Sequence, residues 1–277
     1  MKRFLILTLL LTVIFVTACS QTSDPSGMNH NEHGTEHEME HGHPQAAPDN
    51  SKAIWKLSAG KPQANSNTPI SIQIQDNQGK AVDKFDVSHE KLMHLIVVSK
   101  DLAYFDHLHP EPNGSGQFDV TTKFPEGGDY KLFADYVVTG SEATTKSTWV
   151  TVEGTDSAAS PIGLDKELVK TVAGKEVTLS YDPLKAGANV NLTFHFVDAS
   201  SKKPVADLQP YLGAVGHVVI LSADAEQYLH VHPTEEKAKG PDAKFMTQFP
   251  KSGVYKIWGQ FQQNGQTFIV PFVVNVL

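Results

Sequence analysis

Residues 93–110 read Met-His-Leu-Ile-Val-Val-Ser-Lys-Asp-Leu-Ala-Tyr-Phe-Asp-His-Leu-His-Pro, and residues 216–233 read Gly-His-Val-Val-Ile-Leu-Ser-Ala-Asp-Ala-Glu-Gln-Tyr-Leu-His-Val-His-Pro. Three histidines and the final proline recur at a constant shift of 123 residues. The likeness continues downstream, where Phe-Pro-x-x-Gly-x-Tyr-Lys occurs at 124–131 and again at 249–256. A repeat of this length has the size of a domain and exceeds a solenoid unit. The chain therefore contains an internal duplication.

Each copy is predicted to be all-β. Residues 70–74 and 190–196 alternate apolar with polar side chains, which is the period of a half-buried strand. Residues 94–98 and 217–221 are apolar runs that follow a histidine, a pattern typical of central strands. Turn residues separate these segments at short intervals, and no long stretch has helical periodicity. The pattern predicts two tandem Ig-like β-sandwich domains.

The N-terminal residues predict export and lipidation. Two basic residues precede an apolar run over residues 4–16, and residues 16–19, Val-Thr-Ala-Cys, resemble a bacterial lipobox. The run is shorter than the roughly 20 apolar residues of a spanning helix, which favours cleavage. Residues 1–18 are thus predicted to be a lipoprotein signal peptide. Cys19 is the only cysteine and is expected to carry the lipid that anchors the chain at the extracytoplasmic face of the cell membrane; the alternative is an ordinary signal peptide.

Residues 19–52 are predicted to be a disordered tether rich in His, Met and Glu. The segment has almost no large apolar side chains, so burial cannot offset the entropy lost on ordering. Imidazole suits Cu(II), Zn(II) and Ni(II), and thioether sulfur favours Cu(I), so the tether is expected to bind metal. The alternative is a solvated spacer. The candidate ligands in the tether are His30, His33, His37, His41, His43, Met28 and Met39.

The folded repeats are predicted to span residues 53–153 and 164–277, and each carries a candidate metal site. Side chains alternate along a strand, so both histidines of a His-x-His pair project from one face. The third histidine lies thirteen residues earlier, on the preceding predicted strand. Three imidazoles around one point form a credible divalent-metal site. The predicted ligands are His94, His107 and His109 with Met93 in the first repeat, and His217, His230 and His232 in the second. In the alternative, these histidines only form structural hydrogen bonds.

Composition excludes several classes of function. The chain has 23 Lys and Arg against 31 Asp and Glu, and Arg3 is its only arginine, so nucleic acid is not an expected partner. Acylation of the single cysteine would remove thiolate catalysis. No nucleophile elbow, phosphate loop or metalloprotease helix motif occurs, and a binding protein rather than an enzyme is expected.

The lipobox, the paired Ig-like units and the His-x-His-Pro signature together resemble bacterial extracytoplasmic YtkA-like and copper-resistance-type β-sandwich proteins. The resemblance implies a role in copper handling. One departure is that carriers of the CopC type use a free N-terminal amine as a ligand, whereas an acylated Cys19 offers none.

The expected function is that of a membrane-anchored lipoprotein which captures, stores or delivers a copper ion, with a zinc ion as the alternative cargo. The expected partners are the metal ion, the membrane through the lipid anchor, and an extracytoplasmic protein. The alternative function is an Ig-like cell-surface interaction or assembly module with structural histidines.

Replacing the lone cysteine tests the predicted anchor. Cys19→Ala should abolish membrane retention and leave a precursor or a soluble secreted form, because the variant has no thiol to acylate. Membrane fractionation and the intact mass of the mature protein measure the outcome. Unchanged fractionation together with an unchanged mature mass would contradict lipidation at this position.

Overall fold

The computed structural model describes residues 46–57, 61–155 and 162–277, and within these ranges the chain forms strands and turns but no helix. Residues Gln45–Leu277 make up one compact unit. Among the described residues, accordingly, none belongs to a helix that could cross a bilayer.

The first repeat is a sandwich of two antiparallel sheets. One sheet has the order β1-β2-β7-β6, and the other has the order β3-β8-β4-β5 with β9 paired along β8. The strands are β1 (Lys52–Leu57), β2 (Asn67–Gln75), β3 (Phe85–Asp86), β4 (Met93–Ser99), β5 (Phe105–Leu108), β6 (Glu111–Pro112), β7 (Gln117–Lys123), β8 (Gly128–Val138) and β9 (Ala143–Val152).

The second repeat has the same plan, with β10 added at one sheet edge and with isolated bridges in place of β3 and β6. Its sheets have the orders β10-β11-β12-β15 and β14-β13-β16-β17. The strands are β10 (Val169–Val172), β11 (Lys175–Tyr181), β12 (Asn189–Asp198), β13 (Gly216–Ser222), β14 (Tyr228–Val231), β15 (Asp242–Gln248), β16 (Gly253–Gln263) and β17 (Gln266–Val276). The predicted all-β fold with two repeated units is confirmed.

The Phe-Pro-x-x-Gly-x-Tyr-Lys motif forms the same corner in both repeats. The Tyr130 hydroxyl donates to the carbonyl of Glu126 at 3.0 Å, and the Tyr255 hydroxyl donates to the carbonyl of Lys251 at 2.9 Å. A tyrosine that bonds back to the chain a few residues upstream is a hallmark of Ig-like sandwiches. The motif therefore fixes the start of β8 and of β16.

The apolar runs of the sequence become β4 and β13, and every residue of both strands is buried. One face of β4 carries Leu95 and Val97 into the core of its own sandwich. The other face carries Ile96 and Val98 into a separate apolar cluster that contains residues of both repeats. That cluster comprises Ile96, Val98, Leu102, Phe133, Val219, Leu221, Ala225 and Trp258. The two sandwiches thus pack sheet against sheet, and β4 and β13 are covered on both faces.

Aromatic contacts across this interface occur in reciprocal pairs. Phe105 of the first repeat stacks on Trp258 of the second, with ring centroids 4.9 Å apart. The counterparts with the repeats exchanged are Tyr228 and Phe133, which stack at 4.6 Å. Such a contact pattern is that of an isologous interface.

Two lysine contacts across the interface are reciprocal in the same way. Lys131 Nζ donates to the carbonyl of Ala225 at 2.8 Å, and Lys256 Nζ donates to the carbonyl of Leu102 at 2.7 Å. Each lysine belongs to one repeat and each carbonyl to the other. An approximate twofold axis therefore relates the two repeats.

Truncation of an interface aromatic should destabilise the protein. Trp258 is 3% exposed, so Trp258→Ala is expected to lower the free energy of unfolding by about 3–5 kcal/mol through lost burial and a residual cavity. Ile54, which is 48% exposed, provides the control, and Ile54→Ala should change it by about 0.5 kcal/mol or less. Urea denaturation measures both values. Similar small losses for the two variants would contradict the described interface.

Candidate metal centre

The strands of the first repeat place three histidines on the face that meets the second repeat. His94 lies two residues before Ile96 on β4 and shares its face. His107 on β5 is directly paired with Ile96, so its side chain projects from the same face. His109 follows with the same parity, whereas Leu108 packs into the core of the first sandwich. The predicted orientation of the His-x-His pair is therefore what the structure shows.

The second repeat presents its histidines to the same interface. His217 lies on β13, and His230 on β14 pairs with Val219, a residue of the interdomain cluster. The His230 ring centroid is 5.3 Å from that of His94 and 5.7 Å from that of His107. The expected sites of the two repeats therefore adjoin at one interface. The approximate twofold brings both predicted ligand sets into one histidine cluster, which comprises His94, His107, His109, His217, His230 and His232.

Backbone carbonyls orient one histidine of each repeat. His94 Nε2 lies 2.9 Å from the carbonyl oxygen of Ser88, and His217 Nε2 lies 3.2 Å from that of Tyr211. A carbonyl can only accept, so Nε2 carries the proton in both rings. The Nδ1 atoms of His94 and His217 are therefore lone-pair donors.

Side chains from the opposite repeat orient the next pair. His107 Nδ1 lies 2.9 Å from Gln260 Oε1, and His230 Nδ1 lies 3.0 Å from Asp135 Oδ2. Asp135 also accepts from the Tyr228 hydroxyl. Histidines that bind metals usually donate their second ring N–H to a carboxylate or carbonyl acceptor in this way. The arrangement leaves Nε2 of His107 and of His230 as the donor nitrogens.

The free nitrogens are buried and close together. His94 Nδ1 and His107 Nε2 are 3.0 Å apart. Two nitrogens that each lie about 2.0–2.1 Å from one ion are separated by about 2.9–3.4 Å, so the spacing fits a shared ion. Among the described residues, the buried ring nitrogens without a hydrogen-bond partner include His109 Nε2, His217 Nδ1 and His230 Nε2. So many buried ring nitrogens without a hydrogen-bond partner are unusual in a folded core.

Burial keeps His94, His107, His109 and His217 uncharged near neutral pH. It lowers the pKa of His94 and of His109 from 6.5 to about 4, and the pKa of His217 to about 2. Burial, followed by the repulsion of His230, also holds the pKa of His107 well below its usual range. Only the neutral imidazole binds a metal ion, so these rings are in their ligating form.

The donor atoms fall into two groups, and one of them includes a histidine that sequence reasoning did not single out. His94, His107 and His109 form the first group. The second contains His217 and His232 together with His89, which belongs to the first repeat. In both groups the donor atoms lie within 4.8 Å of one another. His89 was missed because the equivalent residue in the second repeat is Leu212, so the constant shift gave no signal there.

The structure does not bring Met93 to the histidines. Met93 is fully buried in the core of the first sandwich, on the face of β4 opposite to His94. The predicted soft ligand is therefore corrected to a packing residue. Gly216 occupies the equivalent position because a Cβ there would lie 2.4 Å from the Phe261 ring. The difference between the repeats at this position thus reflects core packing, and it carries no information about metal preference.

Several predicted residues lie outside the described residues. These are the lipidation residue Cys19 and the tether ligands His30, His33, His37, His41, His43, Met28 and Met39. Outside the cluster, half-exposed His195 pairs with Asp242 at 2.6 Å.

Two Ig-like sandwiches joined through a shared histidine cluster define a duplicated β-sandwich protein. The chain belongs to the family described as Domain of unknown function (DUF8832), whose model matches residues 45–154 and again residues 170–277. The match supports the duplication but gives no support to the expected likeness to YtkA-like and copper-resistance-type proteins. No curated protein matches the chain.

Solved structures resemble the chain only distantly. The Escherichia coli adhesin FdeC is 16% identical with a TM-score of 0.29, over 84% of this chain and 65% of that one. The Yersinia pseudotuberculosis adhesin InvE is 12% identical with a TM-score of 0.25, over 82% and 59%. A two-domain fibronectin type III segment of chicken tenascin is 13% identical with a TM-score of 0.23, over 82% and 100%. The chain spans less than two thirds of both adhesin structures, and TM-scores this low carry no argument about function.

The lowered pKa values predict acid sensitivity of the metal-free protein. The contribution of these histidines to the free energy of unfolding is fully present above the unfolded-state pKa of 6.5. It falls below that pH, because the histidines of the unfolded chain become protonated while the buried rings stay neutral. Between pH 7 and pH 5, each such histidine should remove roughly 1–2 kcal/mol of unfolding free energy. Urea denaturation in the presence of a chelator measures the change. Carboxylates titrate mostly below this window, and a flat profile across it would contradict the burial of these neutral rings.

Proposed function

We propose that this chain binds a transition-metal ion in the histidine cluster between its two Ig-like repeats. The observation that carries the proposal is the approach of His94 Nδ1 to His107 Nε2 at 3.0 Å. Each ring already donates its other N–H, to Ser88 and to Gln260 respectively. Two facing lone pairs repel one another unless a cation lies between them, and a metal ion resolves that repulsion.

Copper(II) is the proposed ion, with zinc(II) as the alternative. Neutral imidazole is a borderline donor that suits both, and among divalent first-row ions a nitrogen site binds copper most tightly. With Met93 in the sandwich core, the described cluster contains nitrogen donors and no thioether. This donor set favours the divalent state over Cu(I).

The proposed setting is the outer face of the cell membrane, with Cys19 as the lipidated anchor. Residues 19–52 would capture ions, and the folded unit would store them or deliver them to an extracytoplasmic protein partner. The proposed role is binding rather than catalysis, because the sequence contains no nucleophile elbow, phosphate loop or metalloprotease helix motif.

The rival is an Ig-like cell-surface interaction module whose histidines are structural. In that case the Gln260 amide turns over and donates to His107 Nδ1, and His107 Nε2–H donates to His94 Nδ1. The chain of hydrogen bonds would then satisfy both rings without an ion. The two functions differ in whether the rings bind metal at all.

Replacement of the central histidine separates the two functions. His107→Gln should lower the metal content of the full chain by about one equivalent after loading with Cu(II) or Zn(II), and should reduce the metal-dependent rise in melting temperature. His195→Gln is the matched control, because His195 lies outside the cluster and should leave both values unchanged. Elemental analysis and thermal denaturation provide the measurements.

The tether histidines are present in every variant and cancel in the comparison, and deletion of residues 20–44 measures their share directly. The rival predicts a different outcome for His107→Gln: a melting temperature lowered equally with and without metal, and unchanged stoichiometry. That result would exclude the proposed site.

A further inference from the structure

A second convergence of imidazoles lies at the edge of the same interface. His89 is 3.8 Å from His232 and 4.9 Å from His217, measured between ring centroids. The donor atoms of the three rings lie within 4.8 Å of one another. His89 belongs to the first repeat and the other two to the second, so this group spans the two sandwiches.

An unpaired donor points to a ligand at this position. His217 is 1% exposed, its Nε2 donates to the carbonyl of Tyr211, and its Nδ1 is buried with no hydrogen-bond partner. A buried polar atom left without a partner destabilises the fold, and a bound cation removes that penalty. The free Nδ1 is the ligating atom that His217 offers.

A tight turn with left-handed backbone angles holds His89 at this position. Ser88 and Lys91 exchange two backbone hydrogen bonds, of 2.8 and 3.1 Å, around a two-residue turn. The central residues are His89 and Glu90, with φ of 47° and 65°. Such left-handed positions favour Asn and Gly, and other side chains there are strained. The second repeat forms the same turn with Leu212 and Gly213, so the turn belongs to the fold of both repeats and the histidine only to the first.

The two donor groups differ in their access to solvent. His94 and His107 are buried and His109 is partly buried, whereas in the second group His232 is exposed and His89 partly exposed. An ion at the second group can therefore leave for solvent more readily than one held by the first.

We propose that His89, His217 and His232 form a second divalent-metal site that bridges the two repeats and exchanges its ion faster than the inner group. The proposal rests on the proposed function and adds a separate ligand set to it. An ion held here ties the two sandwiches together. Because Leu212 replaces the histidine at the equivalent turn, the twofold does not generate a second such bridge in the structure described.

The test uses Zn(II) with the full chain, and His89→Leu as the variant. Leucine is the residue that the protein itself places at the equivalent turn, where Leu212 has φ of 51°. The variant should bind about one equivalent less zinc than the wild type. In a competition with a chromogenic chelator, the fast phase of zinc release should lose about one equivalent, and the slow phase should persist. His195→Leu is the control and should match the wild type.

Melting temperatures in chelator check that the variant is folded. Should His89→Leu melt lower without metal, His89→Asn replaces it, because asparagine tolerates the left-handed turn. Unchanged stoichiometry and an unchanged fast phase in the folded variant would overturn the bridging site. If His107→Gln still loses its equivalent, the inner site stands and only the bridge is excluded. If neither variant loses zinc, both the bridging site and the proposed function are excluded.

Discussion

The packing of one sandwich sheet against the other is the constraint on which the rest of the structure depends. β4 and β13 must bury both faces, because each carries apolar side chains on both sides. Their second faces are covered by the opposite repeat. Each Å² of apolar surface that is buried contributes about 25 cal/mol of stability. This packing is therefore the main force that orients the two domains. The same faces carry histidines at their ends, so the apolar contact also determines where the imidazoles meet.

The burial of the interface sets the chemistry of the cluster. In water the imidazoles of His94 and His217 would be protonated in part near pH 6.5, whereas behind the apolar contact they stay neutral. The carbonyl of Ser88 and the side chains of Gln260 and Asp135 then select the tautomers. Each repeat supplies the acceptor for a histidine of the other. The orientation of the rings therefore depends on the intact interface.

Much of the fold was predictable from local pattern, and the assembly of the site was not. Alternation around Ile72 and Phe194 reports a half-buried strand, since side chains of one strand face opposite sides. The same parity rule correctly separated Leu108 from its flanking histidines. It also places Met93 on the core face, opposite to His94. The meeting of the two histidine sets depends on contacts between residues more than 100 positions apart, such as Phe105 with Trp258, and no local period encodes them. His89 escaped notice because its position is defined by a turn and by the opposite repeat.

The reciprocal contacts also bear on how such a molecule could arise and diversify. An isologous interface is the one that two identical copies of a single repeat would form as a homodimer. In a homodimer every substitution appears twice, so a histidine at the turn of one copy would stand at the turn of the other as well. Covalent fusion removes that restriction. It allows equivalent positions of the two repeats to differ, as Asp135 differs from Gln260 and His89 differs from Leu212. Gene fusion thus allows a symmetric scaffold to carry different side chains at the two equivalent positions.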